Sequence, residues 1–186
     1  NAQEYTFKNY DWDAKVSTAE IPDKYKNEVE VILNRNVKIE IASDGKDVVQ
    51  YYLFHEKIYI NSDDAIERNN RIYIPFNINE SVIETKARVI LSNGKIISLD
   101  KKDIKEEVDE EKGIKFNYFA VTGMEKGAII EKLYVLKEFP ELDGKTIKVQ
   151  DEYPILNVNF ELIYPNFVKF ITKSYNGLSE ATIDTK

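Results

Sequence analysis

The chain has 186 residues and a mass of 21.6 kDa, enough for one large domain whose core needs no covalent staples. Its 42 % hydrophobic and 32 % charged residues exclude global disorder, and no apolar run reaches the ~18 residues of a membrane-spanning helix. A net charge of -7 and a pI of about 5.0 argue against nucleic acid, whose phosphates need clustered Lys and Arg, and the absence of cysteine removes disulfides, thiolate metal sites and cysteine-nucleophile chemistry.

The opening run Asn1-Ala2-Gln3-Glu4-Tyr5 has neither the basic start nor the apolar stretch of a signal peptide, and the chain does not begin with Met. Any export signal is therefore expected upstream. Residues 1–22 are expected as a loosely packed N-terminal arm and residues 23–186 as a single β-sandwich domain.

Further along, Val37-Lys38-Ile39-Glu40-Ile41 alternates apolar and charged residues, the period of a strand with one face buried. Asp44-Gly45 then marks a turn, and residues 51–58 read as the returning strand. Residues 62–68 suit one or two helical turns, with Ser62 or Asp63 as cap and acids at the N-terminus. Arg71-Ile72-Tyr73-Ile74-Pro75 is a strand that Pro75 either ends or confines to a sheet edge. A second, weaker helix is expected over residues 79–87, where Val82, Ile83 and Lys86 fall at helical spacing. Asn93-Gly94 between the apolar runs 88–91 and 96–99 predicts a hairpin with a type I′ turn.

The mixed charge block at residues 101–112 is expected as an exposed strand pair or a long loop whose charges discourage edge-to-edge pairing. Asp143-Gly144 predicts a turn with a return strand, Val158 to Tyr164 alternates again, and Asn176-Gly177 marks a last turn. Closely spaced strands with little helix between them predict an all-β fold, an antiparallel β-sandwich with short helical turns.

Few residues point to chemistry. His55 is the only histidine, and its neighbour Glu56 points to the opposite face of a strand, so it cannot orient the imidazole. A structural or exposed role is the expectation. The acidic groups Asp11 and Asp13, Asp63 and Asp64, and Asp109-Glu110-Glu111 do not match a calcium loop, although calcium on scattered oxygens is left open; no metal ligand and no cofactor is assigned. Two facing carboxylates could hydrolyse a glycoside, but with 33 acids in the chain no pair stands out, and no catalytic residue is assigned. The aromatic groups Tyr5, Phe7, Tyr10, Trp12 and Phe116, Tyr118, Phe119 offer planar rings. Tyr5, Tyr10, Trp12 and Tyr118 are the candidate ligand-binding residues, because exposed rings stack on sugar faces. The plainer reading is that the second group is core and that the first pins the arm to the domain.

Residues from His55-Glu56-Lys57-Ile58 through Ile74-Pro75 resemble the start of the domain of unknown function that precedes transglutaminase-like domains in exported bacterial proteins. The resemblance continues in Lys86-Ala87-Arg88-Val89-Ile90 with Ser92-Asn93-Gly94-Lys95, and in residues 118–131. It closes with Gln150-Asp151-Glu152-Tyr153-Pro154-Ile155-Leu156 and Leu162-Ile163-Tyr164-Pro165, spanning residues 28 to 177 in all. It implies an all-β accessory module without catalytic residues, located in the periplasm or at the cell surface. Its partner would be a transglutaminase-like domain of the same parent chain, and its ligand a protein or glycan. The Cys-His-Asp chemistry of that neighbour cannot reside in a chain without cysteine. Two other functions stay open: a free-standing carboxylate-dependent glycoside hydrolase, and a structural interaction module.

Overall fold

The computed structural model describes residues 5–10, 12, 18–77, 81–140, 142 and 144–184. It is an all-β molecule of two sheets. A six-stranded sheet has the order β5-β4-β8-β2-β1-β9, and a three-stranded sheet has the order β3-β7-β6. The strands are β1 (Glu30–Asp44), β2 (Asp47–Ile60), β3 (Arg71–Asn77), β4 (Ser81–Ile90), β5 (Ile96–Ser98), β6 (Lys105–Asp109), β7 (Ile114–Ala120), β8 (Ile129–Glu138) and β9 (Val158–Ile163).

Period-two alternation on β2 explains the layering. Tyr52, Phe54, Ile58 and Ile60 point between the sheets, where they meet Ile72 and Ile74 of β3 and Phe119 of β7. Val89 of β4 and Ile130 and Leu136 of β8 complete that core. The alternate residues Val49, Tyr51 and Leu53 point the other way and form a second cluster with Leu133 and Val135 of β8. Phe7 is buried in this second cluster, and Tyr5, Tyr10 and Trp12 pack against it. The larger sheet is thus covered on both faces, by the smaller sheet and by the N-terminal segment. Burial pushes the Tyr52 phenol up to about 12 and raises that of Tyr134 as well.

Turn chemistry was read correctly at Asp44-Gly45, which closes the β1–β2 hairpin with Gly45 at φ 69°. The β4–β5 hairpin also forms, with Arg88 opposite Ser98 and Ile90 opposite Ile96, but its turn is not type I′. Among the described residues Asn176 alone is a non-glycine with positive φ, so Asn93 lacks the conformation that turn requires. The loop is Ser92-Asn93-Gly94, with Gly94 at φ 81°, its N–H donating to Leu91 O at 2.8 Å and Leu91 N–H donating to Lys95 O at 2.8 Å. The short helix α1 (Asp63–Arg68) forms as expected, capped by Ser62 Oγ accepting from Ala65 N–H at 3.0 Å.

Three further expectations are corrected. Residues 81–87 are strand, not helix: Thr85, Ala87 and Val89 alternate inward, and tertiary pairing with β8 overrides a weak helical spacing; residues 79 and 80 lie outside the described residues. Gly144 is not followed by a strand, since residues 145–154 run without regular structure; Asp143 lies outside the described residues. The larger sheet is not wholly antiparallel, because β9 lies parallel to β1, with Arg35 opposite Val158 and Ile39 opposite Leu162. Main-chain bonds from Ile32 to Pro154 and from Leu156 to Ile32, both 2.8 Å, guide the chain into that register. The charge block supplies one edge strand, β6, and β3 with Pro75 is the opposite edge of the smaller sheet.

Candidate functional site

His55 is 4 % exposed and stands on the face of β2 covered by the N-terminal segment. Glu56 indeed points away from it. The acid that orients the imidazole is Glu131, from the neighbouring strand β8, whose Oε1 lies 2.8 Å from His55 Nε2. Tyr10 Oη lies 2.8 Å from His55 Nδ1 and accepts from Asn36 Nδ2 at 3.1 Å.

The ionised carboxylate of Glu131 can only accept, so His55 Nε2 donates to it. The contacts form one chain: Asn36 donates to Tyr10, Tyr10 Oη meets His55 Nδ1, and His55 Nε2 meets Glu131. Glu131 Oε2 also accepts from Arg88 Nε at 2.5 Å, Lys57 Nζ is 3.4 Å from Oε1, and the Arg88 guanidinium lies 4.4 Å from the Trp12 ring centre.

Burial, reinforced by the Glu131 charge, pushes the Tyr10 phenol above its ordinary value despite the Asn36 bond, so a phenolate is disfavoured. For Glu131, burial opposes ionisation. Bonds from His55 and Arg88, with the charges of Lys57 and Arg88, outweigh it and hold the carboxyl below its ordinary value. The Tyr10 bonds pin the N-terminal segment onto the larger sheet. Removing the Tyr10 hydroxyl leaves His55 Nδ1 buried without its hydrogen-bond partner, so Tyr10→Phe is expected to cost about 1–3 kcal/mol in urea unfolding.

The lowered Glu131 pKa also sets an acid limit. The folded state binds fewer protons than the unfolded one, so this stabilisation is complete above the unfolded value of 4.5 and is lost as pH falls through the lower, folded pKa. The melting temperature is expected to drop below about pH 4.5, less steeply in Glu131→Gln; an equally steep drop in that variant would assign the limit to other carboxylates. Glu30, raised by burial, acts in the opposite sense, its contribution falling as pH rises.

On the opposite face, Arg35 makes a short ion pair with Glu56 and donates to Val149 O at 3.1 Å and Asp151 Oδ2 at 2.8 Å. Lys132 Nζ completes the group, 3.0 Å from Glu56 Oε2. This cluster ties the irregular segment 149–151 to the sheet. Two further buried acids have partners too: Glu40 accepts from Thr6 N–H at 2.9 Å and Thr6 Oγ1 at 2.8 Å, and Glu30 accepts from Asn69 at 2.9 Å. Among the described residues no group of three or more acidic or histidine side chains could hold a metal ion. Asp11 and Asp13 lie outside the described residues.

The structure brings three of the four candidate ligand-binding residues together. Tyr5 packs against Phe7 and Tyr51, Tyr10 meets His55 edge-on, and Trp12 lies over Arg88, all on one face of the larger sheet. Tyr118 is apart, on the outer face of the smaller sheet beside Tyr73. Sequence reasoning missed Glu131, Arg88 and Arg35. An acid inside the apolar run Ile129-Ile130-Glu131 was a signal of an inward charge, but its partner depends on the register of β2 against β8.

Residues 46–186 match the family described as a domain of unknown function with solved structure, DUF3857. No curated protein matches the chain. Among solved structures it is similar to a "putative protease" from Parabacteroides distasonis ATCC 8503, with a TM-score of 0.59 and 17 % identity over 80 % of this chain and 34 % of that one. That likeness is one of fold, and the chain spans about a third of that protein's length. A two-domain M1 zinc metallopeptidase bound to L-tryptophan aligns at a TM-score of 0.34 and 8 % identity, over 64 % of this chain and 22 % of that one, and carries no argument. With the family match covering well over half its length, this chain belongs to DUF3857, a family of domains of unknown function.

Proposed function

We propose that the chain is a non-catalytic accessory module of an exported bacterial protein. In this reading it positions or regulates a neighbouring transglutaminase-like domain, or binds that domain's protein or glycan substrate. The observation that carries the reading is the closure of the buried polar clusters. Glu30, Glu40, Glu56, Glu131 and His55 each have hydrogen-bond or ionic partners within the fold, and a reacting group needs a position left open for substrate. The same closure counts against a hydrolase with two free, facing carboxylates. The larger size of the similar Parabacteroides protein is in keeping with a module inside a longer chain.

Immunoblotting of fractionated source cells with an antibody to this domain tests the reading. A band much heavier than 21.6 kDa in the envelope or secreted fraction is expected. A band at 21.6 kDa, or purified domain that hydrolyses peptide, ester or glycoside substrates, would overturn it.

A further inference from the structure

The smaller sheet has one face in the core and one in solvent. Ile72, Ile74 and Phe119 take the inner positions, which leaves Tyr73, Tyr118 and Phe116 on the outer face. Tyr73 is opposite Tyr118 across β3 and β7, and their ring centres are 5.5 Å apart. The Phe116 ring is 5.9 Å from that of Tyr73, which is 37 % exposed. Three rings on adjacent strands form a continuous floor, with Tyr73 exposed and Phe116 and Tyr118 half-buried.

This floor is held in place and rimmed by charge. The Arg71 guanidinium lies 5.3 Å from the Tyr118 ring centre, and its Nη1 donates to Tyr73 Oη at 3.3 Å, so it braces two rings from the side. Register then sets exposed Lys105 opposite Tyr118 and exposed Glu107 opposite Phe116. Donors thus stand at one side of the rings and an acceptor at the other.

Resting on the reading of the chain as a binding module, we infer that this outer face is a carbohydrate platform for a neutral hexopyranose oligosaccharide. The C–H faces of sugar rings stack on the aromatic floor, while hydroxyls, which both donate and accept, meet Arg71, Lys105 and Glu107. Charge decides against the other polymer that aromatic floors attract: single-stranded nucleic acid requires a cationic groove, whereas Glu107 stands beside Phe116 and the chain carries a net charge of -7. The N-terminal rings are not an equivalent site, because Tyr5, Tyr10 and Trp12 pack against the larger sheet.

The test is a titration of the 15N-labelled chain with cellohexaose, mannohexaose and chitohexaose, followed by amide chemical shifts. Saturable changes at residues 71–73, 105–107 and 116–118 are expected with at least one sugar. Tyr118→Leu, which keeps apolar area but removes the ring face, should weaken binding about tenfold. Arg71→Gln, an exposed change that leaves the core intact, should weaken it several-fold, and Lys95→Gln in the exposed β4–β5 loop should leave it unchanged. No saturable change up to about 10 mM sugar would overturn the inference. So would changes confined to residues 5–12, or unaltered binding in folded Tyr118→Leu and Arg71→Gln. Decaproline shifting the same amides in place of the sugars would reassign the face to peptide recognition. Failure here leaves the accessory role intact, whereas sugar binding by a free 21.6 kDa protein would remove that role and keep the platform.

Discussion

Replacing Glu131 by alanine is expected to destabilise the fold by about 3–5 kcal/mol, seen as a lower urea midpoint at unchanged slope. Glu131 is 0 % exposed, and its carboxylate is shared by His55, Arg88 and Lys57. Without it, Arg88 loses a buried carboxylate partner beside Trp12, and His55 loses the acceptor at Nε2. The size of the effect comes from the groups left behind, since a buried ion pair contributes little net stability when intact. Arg88→Met added to Glu131→Ala should therefore recover part of the loss. A double variant as unstable as the sum of the singles would show that the two side chains are not coupled.

The second large effect is expected at Phe119. Its side chain is 1 % exposed and comes from β7, the central strand of the smaller sheet, where it meets Ile72, Ile130 and other residues of the intersheet core. Phe119→Ala removes most of an aromatic side chain from a site that cannot collapse easily between two sheets, and should cost about 3–5 kcal/mol. Phe116→Ala, three positions earlier and on the outer face, should cost under about 1 kcal/mol. Amide exchange should accelerate first in β3, β6 and β7, because Phe119 holds that sheet against the other. Equal costs at the two phenylalanines would contradict the assignment of inner and outer faces.

The contrast between these two residues shows what the sequence could and could not tell. Alternation alone identified β1 and β9, and the glycine turns located two hairpins, because those signals are local. The weak helix over residues 79–87 failed because helical spacing in a short window is outweighed by pairing with a distant strand. His55 was correctly separated from Glu56 by parity, yet its true partner lies on β8, and no local pattern encodes which strand lies alongside. Among the aromatic groups, Phe119 is core as the plainer reading expected, while Phe116 and Tyr118 face outward. Adjacent positions of one strand divide between interior and solvent, so a cluster in sequence is not a cluster in space.

The parallel pairing of β9 with β1 bears on how the protein is made. Asn157 Nδ2 donates to Leu33 O at 3.1 Å across 124 positions of chain, so the contacts of this edge cannot begin while the chain is half synthesised. On the ribosome β1 and β2 can close as a hairpin early, but the far side of β1 then carries unmet N–H and C=O groups until β9 emerges. Nascent chains arrested before residue 158 should consequently be aggregation-prone templates.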